Sequence, residues 1–104
     1  MPGKRSRDKG VRIERELVRL AQRRGLEAMR AWGSDGRTLG ENADVDVRIE
    51  QVTVQVKARH RLPKWLKSEA DVLVLKETRG PWLAVIPLEW LLAYLKLEKE
   101  ICNA

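Results

Sequence analysis

The 104-residue chain has no phenylalanine, one histidine and a single cysteine, Cys102. A single cysteine excludes an intramolecular disulfide and a cysteine-based zinc site, and it fits a reducing compartment. No apolar run approaches the roughly 20 residues that a membrane helix needs. The first residues, MPGKRSRDKG, lack the apolar core of a signal peptide. We therefore expect a cytoplasmic protein that has no membrane partner.

Positive charge predominates, with 21 Lys and Arg residues against 15 Asp and Glu residues and a net charge of +6. Hydrophobic residues make up 43% of the chain, which indicates a globular protein. We expect one domain, residues 1–104, in which residues 1–9 form a basic, flexible N-terminal arm. The basic residues concentrate in the first two-thirds of the chain, which predicts a nucleic-acid-binding surface and a nucleoid-associated protein.

The apolar pattern predicts elements in the order α-β-β-β-α-β-β-α. Helices are predicted at 10–24, within 63–70 and from Pro87 onward, and strands at 26–32, 43–49, 52–58, 70–76 and 82–86. Gly25 is placed to end the first helix, and Glu50 and Gln51 form a tight turn between the second and third strands. Strands with helices at both ends indicate an α/β fold with a mixed central β-sheet flanked by helices.

The first helix places two glutamates, Glu14 and Glu16, on different sides. At about 100° per residue, Glu14 lies inside the apolar arc and Glu16 lies among the arginines of the helix. Glu16 is therefore predicted to form surface ion pairs at i±3 and i±4 spacing. An inward carboxylate is costly unless it is paired. Glu14 is thus predicted either to meet a core arginine or to serve as a metal ligand or base.

The predicted hairpin brings polar side chains together. With a two-residue turn, Asp46 lies opposite Gln55, and Asp44 lies opposite Lys57. Because side chains alternate along a strand, these four share one face, and neighbours across the strands are about 5 Å apart. This face is either a solvated surface with charge pairs or a site where an acid, an amide and a lysine meet Glu14.

Four segments occur in order along the chain: KGVRIERELVRLA, RAWGSDG, ADVDVRI and QVKAR. They resemble, in the same order, the motifs of PD-(D/E)XK nucleases, specifically those of archaeal-type Holliday junction resolvases and their phage relatives. In that family the first helix carries an active-site glutamate, a serine lies near the scissile phosphate, a strand begins with the catalytic aspartate, and a (D/E)-x-K motif follows. The resemblance covers about residues 9–60 and continues more loosely beyond. It implies a restriction-endonuclease-like core.

The resemblance implies a set of catalytic residues, mapped position by position onto Glu14, Ser34, Asp46, Gln55 and Lys57. It also implies a Mg²⁺ cofactor, for which Mn²⁺ would substitute. The implied metal ligands are Glu14, Asp46, Gln55 and the backbone carbonyl of Val56, with Asp44 as the alternative to Asp46. A longer turn would favour Asp44, whereas the two-residue turn favours Asp46.

Gln55 departs from the family pattern, because the family has an acid there. An amide oxygen can still bind Mg²⁺, which takes oxygen ligands, but it contributes no negative charge. The basic residues expected to bind backbone phosphates of DNA are Lys4, Arg5, Arg7, Lys9, Arg30, Arg37, Arg59, His60 and Arg61.

The function implied by the resemblance is a Mg²⁺-dependent, structure-selective DNA endonuclease that resolves four-way junctions by paired phosphodiester hydrolysis. Two alternatives remain open: a nuclease of this superfamily that acts on other branched or duplex DNA, and a non-catalytic DNA-binding module on a degenerate nuclease fold. The last helix has a wider apolar surface than one core face requires, which predicts a homodimer. Branched DNA is the expected partner, no small-molecule substrate is expected, and a cell or a phage could encode the protein.

Overall fold

The computed structural model describes residues 2–31 and 45–103, and helix α1 spans Pro2–Arg23. The helix begins before the predicted residue 10, and a proline suits its first turn, where the missing N–H is not needed. The helix ends at Arg23, and Gly25, the residue predicted to end it, follows in the C′ position with a φ of 80°. Gly25 N–H donates to the Gln22 carbonyl at 2.9 Å and Leu26 N–H to the Ala21 carbonyl at 3.1 Å, which is a Schellman motif.

The chain divides into two compact units, Met1–Ala58 and Arg59–Ala104. The first contains α1 and three strands, β1 (Ala28–Arg30), β2 (Val47–Ile49) and β3 (Val52–Val54). The second contains a short 3-10 helix (Lys64–Lys67), the strands β4 (Leu73–Lys76) and β5 (Trp82–Val85), and helix α2 (Leu88–Cys102). The predicted single domain and the predicted flexibility of residues 1–9 stay predictions.

The three strands of the first unit form an antiparallel sheet in the order β1-β2-β3. Val47 pairs with Val54 and Ile49 with Val52, so the predicted hairpin register is confirmed. On the other side of β2, Arg30 pairs with Val47. The turn residues Glu50 and Gln51 are those that the alternating pattern predicts.

Glu50 occupies a backbone conformation that usually favours glycine, with a φ of 54°. Two hydrogen bonds with Glu27 explain how a non-glycine residue is held there. The Glu50 N–H donates to the Glu27 carbonyl at 2.7 Å, and the Glu50 carboxylate accepts from the Glu27 N–H. The turn is thereby fastened to the chain that enters β1.

The core of the first unit forms where α1 packs against β1 and β2. Ala21, Val47 and Ile49 are completely buried, and Leu26 is nearly so. Small and branched apolar residues therefore let the helix approach this face of the sheet closely. The face also receives the one charged side chain that is buried among the described residues, Glu14.

In the second unit, β4 and β5 pair antiparallel from Leu73 with Val85 to Lys76 with Trp82. The connection between them is fixed by Lys76, whose Nζ donates to the carbonyls of Glu77 and Gly80, each at 2.6 Å. Helix α2 begins after Pro87, as predicted, and buries Leu92 and Leu95.

The α/β class and the predicted order of elements are confirmed, with the second helical element present as a 3-10 helix. All pairings among the described strands are antiparallel, and these strands form two sheets where the sequence predicts one mixed sheet. Within the described part of the chain, no helix is both long enough and apolar enough to cross a membrane.

Candidate active site

Glu14 lies on the face of α1 that packs on the sheet, and only 4% of the residue is exposed. Its Oε1 accepts a hydrogen bond from Nη1 of Arg30 at 3.1 Å, which also makes an ion pair. Arg30 is the last residue of β1 and is itself largely buried. The inward position predicted for Glu14 is confirmed. Arg30 is the arginine partner that was one of the two roles predicted for this glutamate. Arg30, predicted to contact DNA, lies against this acid.

A β-bulge precedes β2 at Asp46. The N–H of Asp46 donates to the Val54 carbonyl at 2.9 Å, although the register partner of Val54 is Val47. Two consecutive residues therefore lie opposite one residue of β3, and a bulge of this kind redirects side chains next to functional sites. The sequence predicts Asp46 opposite Gln55, and the structure shifts its backbone pairing by one residue.

The carboxylate of Asp46 also bonds to the strand beside it. Oδ2 of Asp46 accepts a hydrogen bond from the N–H of Val56 at 2.7 Å. The side chain thus supplies an acceptor where the regular β2–β3 ladder has ended. Val56 lies between Gln55 and Lys57, so this bond places the acid beside the segment that carries the amide and the lysine.

Glu14 and Asp46 are connected through the end of β1. Arg30 binds Glu14, and the next residue, Ala31, donates its N–H to the Asp46 carbonyl at 2.8 Å. Because Asp46 also bonds to β3 and to Val56, both acids are tied to the same end of the three-stranded sheet. We refer to this group of Glu14, Arg30, Asp46 and Val56 as the sheet-end cluster.

Gln55 and Lys57 are exposed, whereas Val54 and Val56 are half-buried. This alternation places the amide and the ammonium on the open side of the segment that follows β3, although β3 itself ends at Val54 and not, as predicted, at residue 58. Neither side chain forms a hydrogen bond or an ion pair within residues 2–31 and 45–103. Both are therefore available to a ligand.

The predicted ligands can be compared with what a divalent cation needs. Among the described residues, no group of three or more His, Cys, Asp or Glu side chains could hold a metal ion. The predicted set instead combines two carboxylates, an amide oxygen and a backbone carbonyl. All are oxygen donors, the type that Mg²⁺ takes. The donor chemistry fits the ion, although Glu14 lies on the helix-covered face of the sheet and the Gln55 side chain on the open side.

Three predicted site residues, Ser34, Arg37 and Asp44, lie outside the described residues, as do the side chains of Lys4, Arg5 and Arg7. In the second unit Arg59, His60 and Arg61 are exposed, as phosphate contacts need to be. Lys9 of α1 is partly exposed.

The sequence pattern predicts an arginine as one possible partner of Glu14 but does not identify Arg30 as that arginine. The position of Arg30 at the end of the strand beneath the helix could have indicated it. The bulge at Asp46 had no signal, because neither residue 46 nor its neighbours is a glycine.

A family model described as archaeal Holliday junction resolvase (Hjc) matches residues 5–77. Proteins of the class that this model describes are nucleases that act on branched DNA. Since the match covers well over half of the 104 residues, the chain belongs to the archaeal Holliday junction resolvase family. The match includes α1 from Arg5 onward and the whole sheet-end cluster. No curated protein and no solved structure matches the chain.

Proposed function

We propose that this protein is a Mg²⁺-dependent endonuclease that resolves four-way DNA junctions by paired phosphodiester hydrolysis. One observation carries the proposal: Glu14 and Asp46 are hydrogen-bonded at one end of a sheet, and the exposed residues Gln55 and Lys57 follow directly after its third strand, beside Asp46. Membership of the resolvase family supports branched DNA as the substrate. A DNA substrate also agrees with the predicted nucleoid location.

The proposed metal ligands are Glu14, Asp46, Gln55 and the carbonyl of Val56, with Asp44 as the alternative acid. When bound, Mg²⁺ or Mn²⁺ would supply the positive charge that activates water and stabilises the charge developing on the phosphate. Gln55 provides an oxygen without a charge, so we expect weaker metal binding than an acid would give at this position.

The chain's own groups then have separate roles. Lys57 positions or deprotonates the attacking water, or contacts the phosphate, and its exposed position leaves it accessible to DNA. Arg30 holds the Glu14 carboxylate at the sheet end. Ser34 contacts the scissile phosphate. Backbone phosphates are bound by the other residues of the predicted phosphate-binding set, which makes affinity sensitive to salt and largely independent of sequence. These residues are Lys4, Arg5, Arg7, Lys9, Arg37, Arg59, His60 and Arg61.

A homodimer is part of the proposal, because a symmetric four-way junction needs two cuts. Helix α2 buries Leu92 and Leu95 but leaves Trp90, Tyr94 and Leu97 exposed, at 49%, 61% and 56%. An apolar face of this kind suits self-association. Light scattering at micromolar concentration should give the mass of two chains, and a monomer would contradict the dimer.

The decisive experiment compares an end-labelled four-way junction with a linear duplex of matching sequence, each with Mg²⁺ and with EDTA. We expect symmetric paired nicks in the junction, only with Mg²⁺. Cleavage of flaps or linear duplex at a similar rate would instead support a nuclease of broader substrate range.

The second candidate is a non-catalytic DNA-binding module, and the observation that favours it is Gln55 in place of an acid. The module should bind junctions yet cut neither DNA with Mg²⁺ or Mn²⁺. Binding without cleavage by the wild-type protein would therefore decide for this candidate.

A further inference from the structure

A row of arginines runs along the exposed side of α1. Arg12, Arg19 and Arg23 are separated by seven and four residues, so they recur on one face of the helix, and Arg15 lies at the edge of this row. All four side chains are exposed. We refer to these four residues as the arginine row.

Within the described residues, the arginine row forms no ion pair with an acidic side chain. Glu16 lies at its margin and was predicted to pair with these arginines, but in the described part of the chain Glu16 forms no ion pair with them. The prediction for Glu16 was wrong, because an exposed i±3 or i±4 pair gains only tenths of a kcal/mol. Arg12, Arg15 and Arg19 line one surface pocket together with Val11.

The arginine row faces away from the sheet-end cluster. Taking about 100° per residue, Arg12, Arg19 and Arg23 lie between about 140° and 180° around the helix from Glu14. A straight duplex whose phosphate lies at Glu14 cannot at the same time follow the opposite side of this helix. Since the row extends over about 16 Å, it can follow several successive phosphates of another duplex segment.

We propose that the arginine row is a second DNA-contact surface, which binds the backbone of one junction arm while another arm occupies the candidate active site. This inference rests on the proposed function and adds to it a basis for selecting branched DNA. A junction would occupy both surfaces at once, so its affinity combines both contacts. A linear duplex would occupy one surface or the other.

The test uses the full-length triple variant Arg12→Gln/Arg19→Gln/Arg23→Gln, in which glutamine preserves helix propensity. The matched control is Arg79→Gln/Lys96→Gln/Lys99→Gln, which removes the same charge from the second unit. Binding to a four-way junction and to a linear duplex is measured over a salt series with Ca²⁺ in place of Mg²⁺. Single-turnover cleavage with Mg²⁺ is measured at saturating protein.

For the triple variant we expect Kd for the junction to rise by about tenfold or more, and Kd for the duplex by no more than about threefold. The slope of log K against log salt for the junction should decrease by about 0.9 for each lost phosphate contact. The cleavage rate at saturation should stay unchanged, because no residue of the sheet-end cluster is altered. The control variant should leave the difference between junction and duplex intact.

Two results would overturn the arginine row as an arm contact: an unchanged Kd and salt slope for the junction, or an equal loss for junction and duplex. Either can occur while the wild type still cuts junctions, which would leave the proposed function standing. Failure of the proposed function is a different result, namely a wild-type protein that does not cut junctions with Mg²⁺ or Mn²⁺.

Discussion

Nη1 of Arg30 lies 3.1 Å from Oε1 of Glu14, and the two side chains expose only 18% and 5% of their surface. One member comes from the helix and the other from the end of the strand beneath it. A carboxylate this deeply buried depends on its cationic partner, because an unpaired buried charge is strongly destabilising. The pair therefore connects the stability of the first unit with the position of the proposed catalytic acid.

Replacing Arg30 by methionine should lower the free energy of unfolding by about 2–4 kcal/mol, because the buried Glu14 carboxylate then loses its ion pair with Arg30. Urea unfolding followed by circular dichroism measures the change. The double variant Glu14→Gln/Arg30→Met should recover much of the loss, since the buried charge is gone. Equal destabilisation of the single and the double variants would show that the charge pair is not the cause.

Lys57→Ala should reduce junction cleavage by at least about a hundredfold, the lower range for removing a catalytic acid–base group. Because Lys57 is exposed and has no side-chain partner within the described residues, stability should change by less than about 0.5 kcal/mol. A gel-shift assay with Ca²⁺ should show nearly unchanged junction binding. A Lys57→Ala protein that still cuts would remove Lys57 from the proposed mechanism.

Gln55→Glu restores the acid that the family has at this position. The added charge should lower the Mg²⁺ concentration for half-maximal cleavage on the order of tenfold, since ligand charge sets cation affinity. The measurement is a Mg²⁺ titration of initial cleavage rates, with Gln55→Ala as the matched control that should shift the requirement upward. If the Mg²⁺ concentration for half-maximal cleavage is the same with Gln, Glu or Ala at residue 55, this residue does not bind the metal.

The choice between Asp46 and Asp44 can be made with paired variants. Asp46→Asn keeps an oxygen that can accept the Val56 N–H, so stability should stay within about 0.5 kcal/mol while cleavage is lost. Asp46→Ala leaves that N–H without its acceptor and should cost about 1–2 kcal/mol in addition. Asp44→Asn should retain most of the activity. The opposite pattern, with Asp44→Asn inactive and Asp46→Asn active, would assign the metal to Asp44.

Helix α2 offers a buried and an exposed leucine for separating folding from self-association. Leu92→Ala should destabilise the protein by about 2–5 kcal/mol, because Leu92 is completely buried. Leu97→Glu should leave stability nearly unchanged and convert the proposed dimer to a monomer in light scattering, since Leu97 is exposed. A dimer that persists in Leu97→Glu would place the interface elsewhere.

The sequence determines much of the local fold through simple patterns. Gly25 was recognisable as a helix end because few other residues adopt a positive φ readily. The register from Val47 with Val54 to Ile49 with Val52 follows from alternation and a two-residue turn. The early start of α1 was missed because residues 2–9 are mostly polar and give no periodic apolar signal.

For the site, the helical pattern correctly turned Glu14 inward, and strand alternation correctly exposed Gln55 and Lys57. The pattern did not reveal the bulge at Asp46, because a bulge depends on tertiary hydrogen bonds to Ala31, Val54 and Val56 rather than on residue type. The unpaired state of Glu16 was missed for a related reason. Spacing permits an ion pair, but the energy of an exposed pair is too small to enforce it.

The length of the two-residue turn at Glu50 and Gln51 sets the register of the hairpin. It is anchored to Glu27 at one end, while Asp46 is anchored to Val54 and Val56 at the other. One inserted residue in the turn would reverse the faces of every later side chain in the strand, and two would shift the position of Asp46 along β3 by one pair. A change in the length of this turn would therefore disrupt the proposed site as completely as the loss of one of its acids, although the turn itself touches no substrate.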